Sequence, residues 1–156
     1  MRPRERPGRR PAIILAGGAL GVLGSLDACR APTQVTIVVE TPTIACSALQ
    51  GIAIYVDGDS TRAEEEVRPP RAPAATVVTC ESDRRAGSLV VVPAGGRGAI
   101  VVVAGVRERA DRCGPDNEYA GCIVARRAFS FIEHVPLTIP VPLDLACVDV
   151  PCSAQS

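Results

Sequence analysis

The stretch VPLTIPVPLDLAC, residues 135–147, decides the fold. Its odd positions, Leu137, Ile139, Val141, Leu143 and Leu145, are all apolar, whereas the even ones are Thr138, Pro140, Pro142, Asp144 and Ala146. Side chains of a strand point alternately to its two faces, so a period of two predicts one face in a core and the other in water. Proline has no N–H to give to a ladder and is confined to edges and bulges. Pro140 and Pro142 therefore place this strand at a sheet edge, where they also block pairing with another molecule.

The same reading works outward along the chain. In QVTIVVE, residues 34–40, Val35, Ile37 and Val39 share one side, and in LQGIAIYV, residues 49–56, Ile52, Ile54 and Val56 do. Further strands are expected over 76–80, 88–92, 99–106, 122–132 and 137–145. Between them lie turns rich in Gly, Pro and Asp, such as PAGGRG and CGPDNEYAG, and one longer loop, STRAEEEVRPPRAPAA, whose Glu64, Glu65, Glu66, Arg68 and Arg71 read as a solvated segment. Seven short strands with frequent turn signals predict an all-β fold, a single antiparallel β-sandwich of Ig-like or transthyretin-like style over 34–156. One conflict stands in CIVARRAFSFI, where the apolar parity of Ile123, Ala125, Phe129 and Phe131 puts Arg127 on the inner side. Either a bulge shifts the register near Arg126 and Arg127, or Arg127 is an inward charge paired with Asp144 or Glu133, or it snorkels out at the strand's end.

The N-terminus has a different character. MRPRERPGRR holds five arginines against Glu5, and residues 11–26, PAIILAGGALGVLGSL, form sixteen residues without a charge. A basic start, an apolar stretch of roughly 7 to 15 residues and a small-residue exit are the parts of a secretory signal. A membrane span needs about 20 apolar residues, and this run is shorter and loosened by Gly17, Gly18, Gly21 and Gly24. Without residues 1–28, five Arg and two acids are gone, leaving 12 Arg against 15 Asp and Glu, a net of −3. That balance argues against nucleic acid as a partner, since phosphate binding needs clustered positive charge.

Seven cysteines pose a problem of parity. Cys29 lies at the end of the apolar run, and setting it aside leaves Cys46, Cys80, Cys113, Cys122, Cys147 and Cys152, an even set suited to disulfides in an exported chain. Short separations make Cys113–Cys122 and Cys147–Cys152 the local pairs and leave Cys46–Cys80 by elimination. Zinc fits poorly, because no CxxC occurs and His134 is the only histidine; no metal or other cofactor is expected.

Leu26-Asp27-Ala28-Cys29 resembles the lipobox of bacterial lipoprotein precursors, an apolar residue and two mostly small ones before an invariant Cys, with Asp27 standing where the family has an uncharged residue. The resemblance implies a signal peptide over 1–28, diacylglycerol on the Cys29 thiol, cleavage before it, acylation of the new amino group and a lipid-anchored tether over 29–33. Arg30 after that cysteine, where the family's inner-membrane retention signal is Asp, implies the outer membrane. The order CIVARR, an aromatic strand, HVPL and a closing PLDLAC is similar to uncharacterised exported lipoproteins of GC-rich bacteria, which implies a shared fold over the C-terminal third and no particular activity.

Catalytic signals are sparse. His134 has Ser130 four residues before it but no GxSxG elbow, and it reads as structural. Asp57-Gly58-Asp59-Ser60, with Asp111, Asp116, Asn117 and Glu118, supplies oxygen ligands without the spacing of a calcium loop. Among Tyr55, Tyr119, Phe129 and Phe131 the two Phe read as core, and Tyr119 is the aromatic expected to be exposed as a binding anchor. The expectation is a non-enzymatic binding or structural module at the cell envelope, its partners a lipid bilayer through Cys29 and an envelope protein. The alternatives are a carrier of a small apolar ligand between the sheets and a calcium-dependent adhesion-type module.

Overall fold

The computed structural model describes residues 30–57, 72–78, 80 and 84–150. Within the unit Ala31–Ser156, the described residues form seven strands: β1 (Gln34–Glu40), β2 (Ile52–Asp57), β3 (Ala75–Val77), β4 (Arg85–Val91), β5 (Arg97–Gly105), β6 (Cys122–Ser130) and β7 (Pro136–Pro142). They make a three-stranded sheet in the order β4-β1-β7 and a four-stranded sheet in the order β3-β2-β5-β6. Each expected strand is present, with ends moved by a few residues. The second begins only at Ile52 because Cys46–Ala48 winds into a short 3-10 turn and Gly51 takes a positive φ of 95°, a conformation open to glycine without steric cost.

The closing strand lies at a sheet edge, as its prolines require. Val141 and Leu143 are fully buried, and Pro136, Thr138, Pro140 and Pro142 are exposed. Leu143 N–H donates to the Glu40 carbonyl at 2.8 Å. Odd positions thus direct their N–H toward β1, and all three prolines fall on the parity that would direct it away. Leu145 breaks the expected alternation: it is half exposed because the strand stops at Pro142 and Leu145–Cys147 turns as a 3-10 helix, with the Asp144 side chain accepting from Ala146 N–H at 2.9 Å.

The expectation of a wholly antiparallel fold is corrected at one pairing. β1 and β7 run parallel, in register from Gln34↔Pro136 to Glu40↔Pro142. Parallel neighbours need a long connection, and the first and last strands have the whole domain between them. The register of β5 with β6 is unbroken from Arg97↔Ser130 to Gly105↔Cys122, so no bulge forms at Arg127. That side chain is exposed and its Nη1 donates to the Arg126 carbonyl at 2.7 Å. Asp144 is engaged with Thr43 and Ala146, and Glu133 with His134, so the snorkelling arrangement holds, as a sheet-edge strand allows.

Both sheets bury one face in a shared core. Val35, Ile37 and Val39 of β1 and Val141 of β7 meet Ile52 and Ile54 of β2, Ile100 and Val102 of β5 and Ile123 of β6. Phe129 and Phe131 pack against this core in an edge-to-face pair, centroids 5.3 Å apart. Phe129 lies over Gly98, its register partner, where a Cβ would come within 2.7 Å of the ring. The Cys46–Cys80 bond, 34 residues apart, joins the β1–β2 connection to the β3–β4 connection, the first two passages between the sheets.

Candidate functional site

β5 is buried along almost its entire length, and only one of its faces belongs to the shared core. Val101 and Val103 point to the outer side of the four-stranded sheet and form a second cluster with Ala53, Tyr55, Ala110, Cys113, Cys122 and Val124. Residues 106–121 cover this outer face. The excursion starts with a backbone reversal packed on Gly105, where a Cβ would lie 2.2 Å from the Glu108 carbonyl oxygen. The Cys113–Cys122 bond fastens it to the first residue of β6. The Asn117 side chain holds its middle, its Oδ1 accepting from Gly114 N–H at 3.0 Å and Tyr119 N–H at 3.1 Å while its Nδ2 donates to the Arg112 carbonyl at 3.0 Å. Asp149 ties down its end, accepting from Gly121 N–H at 2.6 Å and from Arg107 Nη1 at 2.5 Å.

The cover stops short of the β2–β3 side, and a cleft of about 760 Å³ opens there. Ala53, Tyr55 and Thr76 lie along it, Leu49 to Ile52 and Arg109 to Asp111 form walls, and Ala72, Pro73, Val77 and Val78 complete the described lining. Thr76 is the register partner of Ala53, so both face the outer side. Burial pushes the Tyr55 phenol above its ordinary pKa, with Tyr119 and Asp111 adding to the rise. At the rim Arg109 grips Asp111 through two parallel bonds, Nε to Oδ1 at 3.0 Å and Nη2 to Oδ2 at 2.9 Å. That fork holds the Asp111 carboxyl below its usual range and raises the Arg109 guanidinium; both groups are exposed, so it orients the rim more than it stabilises the fold. An apolar-walled cleft with one phenol and one oriented ion pair suits a small, mostly apolar ligand.

Of the candidate residues singled out in the sequence, Tyr55 and Asp111 line this cleft, and the other described ones do not. His134 sits in the turn between the Ile132↔Val135 bridge partners, with φ of 60°; its N–H donates to Thr33 Oγ1 at 2.8 Å, and its Nδ1 lies 3.3 Å from the Ala31 carbonyl. Ser130 pairs with Arg97 at the start of β5, whereas Tyr55 and Ala53 of the cleft pair with Val101 and Val103, four and six residues along it, roughly 13–20 Å away at the rise of an extended strand. Tyr119 is not the exposed anchor expected of it: it is half-buried against the second cluster, and the Arg126 guanidinium lies 5.7 Å from its ring centroid. Asp111 and Asn117 are held by Arg109 and by loop N–H groups, and among the described residues no three His, Cys, Asp or Glu side chains come together as a metal site. Residues 58–60 of the acidic turn, the Glu64–Glu66 run, Cys29 and Cys152 lie outside the described residues. Cys147 is the free cysteine among those described, half-buried on the shared core. No described helix is long and apolar enough to cross a membrane. The sequence reading missed the cover and the cleft it leaves, although the signal for the cover was present: β5 is apolar on both parities, so a second layer had to exist somewhere. Comparison of the chain with protein-family models, with curated proteins and with solved structures finds no match in any of the three.

Proposed function

We propose that this chain is an exported lipoprotein, held on the outer membrane by acyl chains on Cys29, whose β-sandwich serves as a non-enzymatic binding or structural module at the cell envelope. Cysteine parity carries the reading. Cys46 pairs with Cys80 and Cys113 with Cys122, bonds that persist in oxidising compartments and are rare in the cytosol. Pairing Cys147, whose thiol is unbonded among the described residues, with Cys152 would complete three bonds and leave over Cys29, two residues before the unit that starts at Ala31. A spare thiol at the end of a signal-like run is accounted for by thioether lipidation. We read the two sheets as an Ig-like or transthyretin-like sandwich; a three-plus-four arrangement with inner faces in one core supports this. Intact-mass measurement of the protein from its host's membranes tests the proposal. The expected mass is that of a chain beginning at Cys29 plus acyl groups, and a chain beginning at Met1, or Cys29 in a disulfide, overturns it.

A second reading, a carrier of a small apolar ligand, is favoured by the cleft beside Leu49, Ile52, Tyr55 and Val77. It moves the ligand from between the sheets to the outer side of the four-stranded one. Native mass spectrometry of the same material reads it out: a bound small molecule lost on Ala53→Trp, which fills the cleft, supports the carrier, and an unliganded mass removes it.

A further inference from the structure

The end of the sandwich from which the chain departs toward Cys29 is built differently from the opposite end. The start of β1 lies beside the start of β7 and the end of β4, since Gln34 pairs with Pro136 and Val35 with Val91. The β4–β5 connection and the turn 132–135 therefore meet at this pole. Thr33 and Ala31 are hydrogen-bonded to His134 of that turn, so the exit point of the tether is fixed, and it emerges next to exposed apolar side chains. Val92 is 68 % exposed, Ile132 53 % and Val135 39 %. Across the sheet end Val92 stands two strand spacings from Val135, about 10 Å. The other pole has exposed apolar side chains too, Val78, Leu145 and Val150, but they share it with most of the charged side chains of the described loops, in the segment Arg107, Glu108, Arg109, Asp111, Arg112, Asp116 and Glu118, whereas the turn 132–135 carries the exposed Glu133.

We infer that Val92, Ile132 and Val135 form a lipid-contacting face on which the folded domain rests against the bilayer. The inference depends on the lipid anchoring proposed above and adds an orientation to it. Four residues separate Cys29 from Thr33, and an extended chain reaches at most about 3.6 Å per residue, so acyl chains on Cys29 hold this pole within about 14 Å of the membrane surface. Apolar groups held there enter the headgroup–acyl boundary, about 5–10 Å deep, without any further loss of translational freedom. A bilayer is favoured over a second copy of the chain for a geometric reason. Antiparallel pairing of two β4 edges, the edge without proline, inverts one copy and carries its tether to the far pole, beyond the reach of four residues.

The chain has no tryptophan, which makes a single introduced indole an unambiguous reporter. Acylated protein carrying Ile132→Trp, Val92→Trp or Leu145→Trp is reconstituted into phosphatidylethanolamine–phosphatidylglycerol vesicles containing bromolipid. Leu145 is 50 % exposed and belongs to the opposite pole, three residues past the β7 position that pairs with Glu40. The Ile132→Trp and Val92→Trp proteins are expected to show blue-shifted emission quenched roughly twofold, as interfacial burial requires, and the Leu145→Trp protein none. Equal emission from all three on vesicles with which the protein floats overturns the orientation and leaves the anchor standing. Failure of the native protein to float overturns the anchor, and the orientation with it.

Discussion

The two sheets treat their outer faces in opposite ways. On the three-stranded sheet, β7 alternates apolar with polar or proline residues and β1 does so except at Val38, and outward positions of the edge strand, such as Thr138 and Pro140, meet solvent. On the four-stranded sheet, β5 is apolar on both parities and its outer valines are sealed under residues 106–121. One sheet therefore needs a single partner layer, and the other needs two. The two disulfides follow the same division: Cys46–Cys80 clamps the connections between sheets, and Cys113–Cys122 clamps the cover.

The largest expected effect separates those clamps. Loop-entropy reasoning assigns roughly 4 kcal/mol to closing the 34-residue separation and nearer 3 kcal/mol to the 9-residue one. Paired Cys→Ser changes at Cys46 and Cys80 should lower the midpoint of global unfolding. The same changes at Cys113 and Cys122 should first expose the amides of Val101 and Val103 to hydrogen exchange while those of Ile37 and Val39 stay protected. Simultaneous loss of protection on both faces would mean that the cover is no separate layer.

Single valines sharpen the contrast. Val103→Ala removes a fully buried side chain from under the cover and is expected to cost about 2–3 kcal/mol. Val90→Ala, on the open face of β4, should stay within about 0.5 kcal/mol. Chemical denaturation of both proteins gives the comparison, and equal costs would break it. Arg127→Ala belongs with Val90: an exposed guanidinium bonded to its neighbour's carbonyl should cost less than about 0.5 kcal/mol.

How much of this was legible in the sequence depended on whether the signal was local. Alternation in 34–40 and 135–147 reports directly on the environment of each residue, and the prolines of the closing strand name the one ladder they do not join. The parallel sense of β1 and β7 is a property of the whole chain path and has no local mark. Arg127 was undecidable from parity because an inward position at a sheet edge can still reach water. The cleft lay hidden for another reason: it arises where 106–121 fails to cover β2 and β3, and a gap between distant segments leaves no pattern in either. Yet Val101 and Val103, apolar on the wrong parity for a one-sided strand, had already asked for a cover.

The smallest effect tests how well that cover excludes water. Tyr55 lies on the covered face, and burial comes first among the causes that raise its phenol above 10.0. As pH rises past 10.0 the unfolded chain loses this proton before the native one does, so the stability tied to the buried phenol is complete below that value and lost as pH climbs through the native pKa. The chain has two tyrosines, so in Tyr119→Phe the absorbance of phenolate at alkaline pH belongs to Tyr55 alone. Its midpoint should lie above that of the same protein in urea, because burial persists when the Tyr119 charge is removed. The alkaline fall in melting temperature should also be shallower in Tyr55→Phe. Coincident native and urea midpoints would show that solvent reaches Tyr55 freely through the cleft, and the four-stranded sheet would then be open on its outer side, as the three-stranded one is.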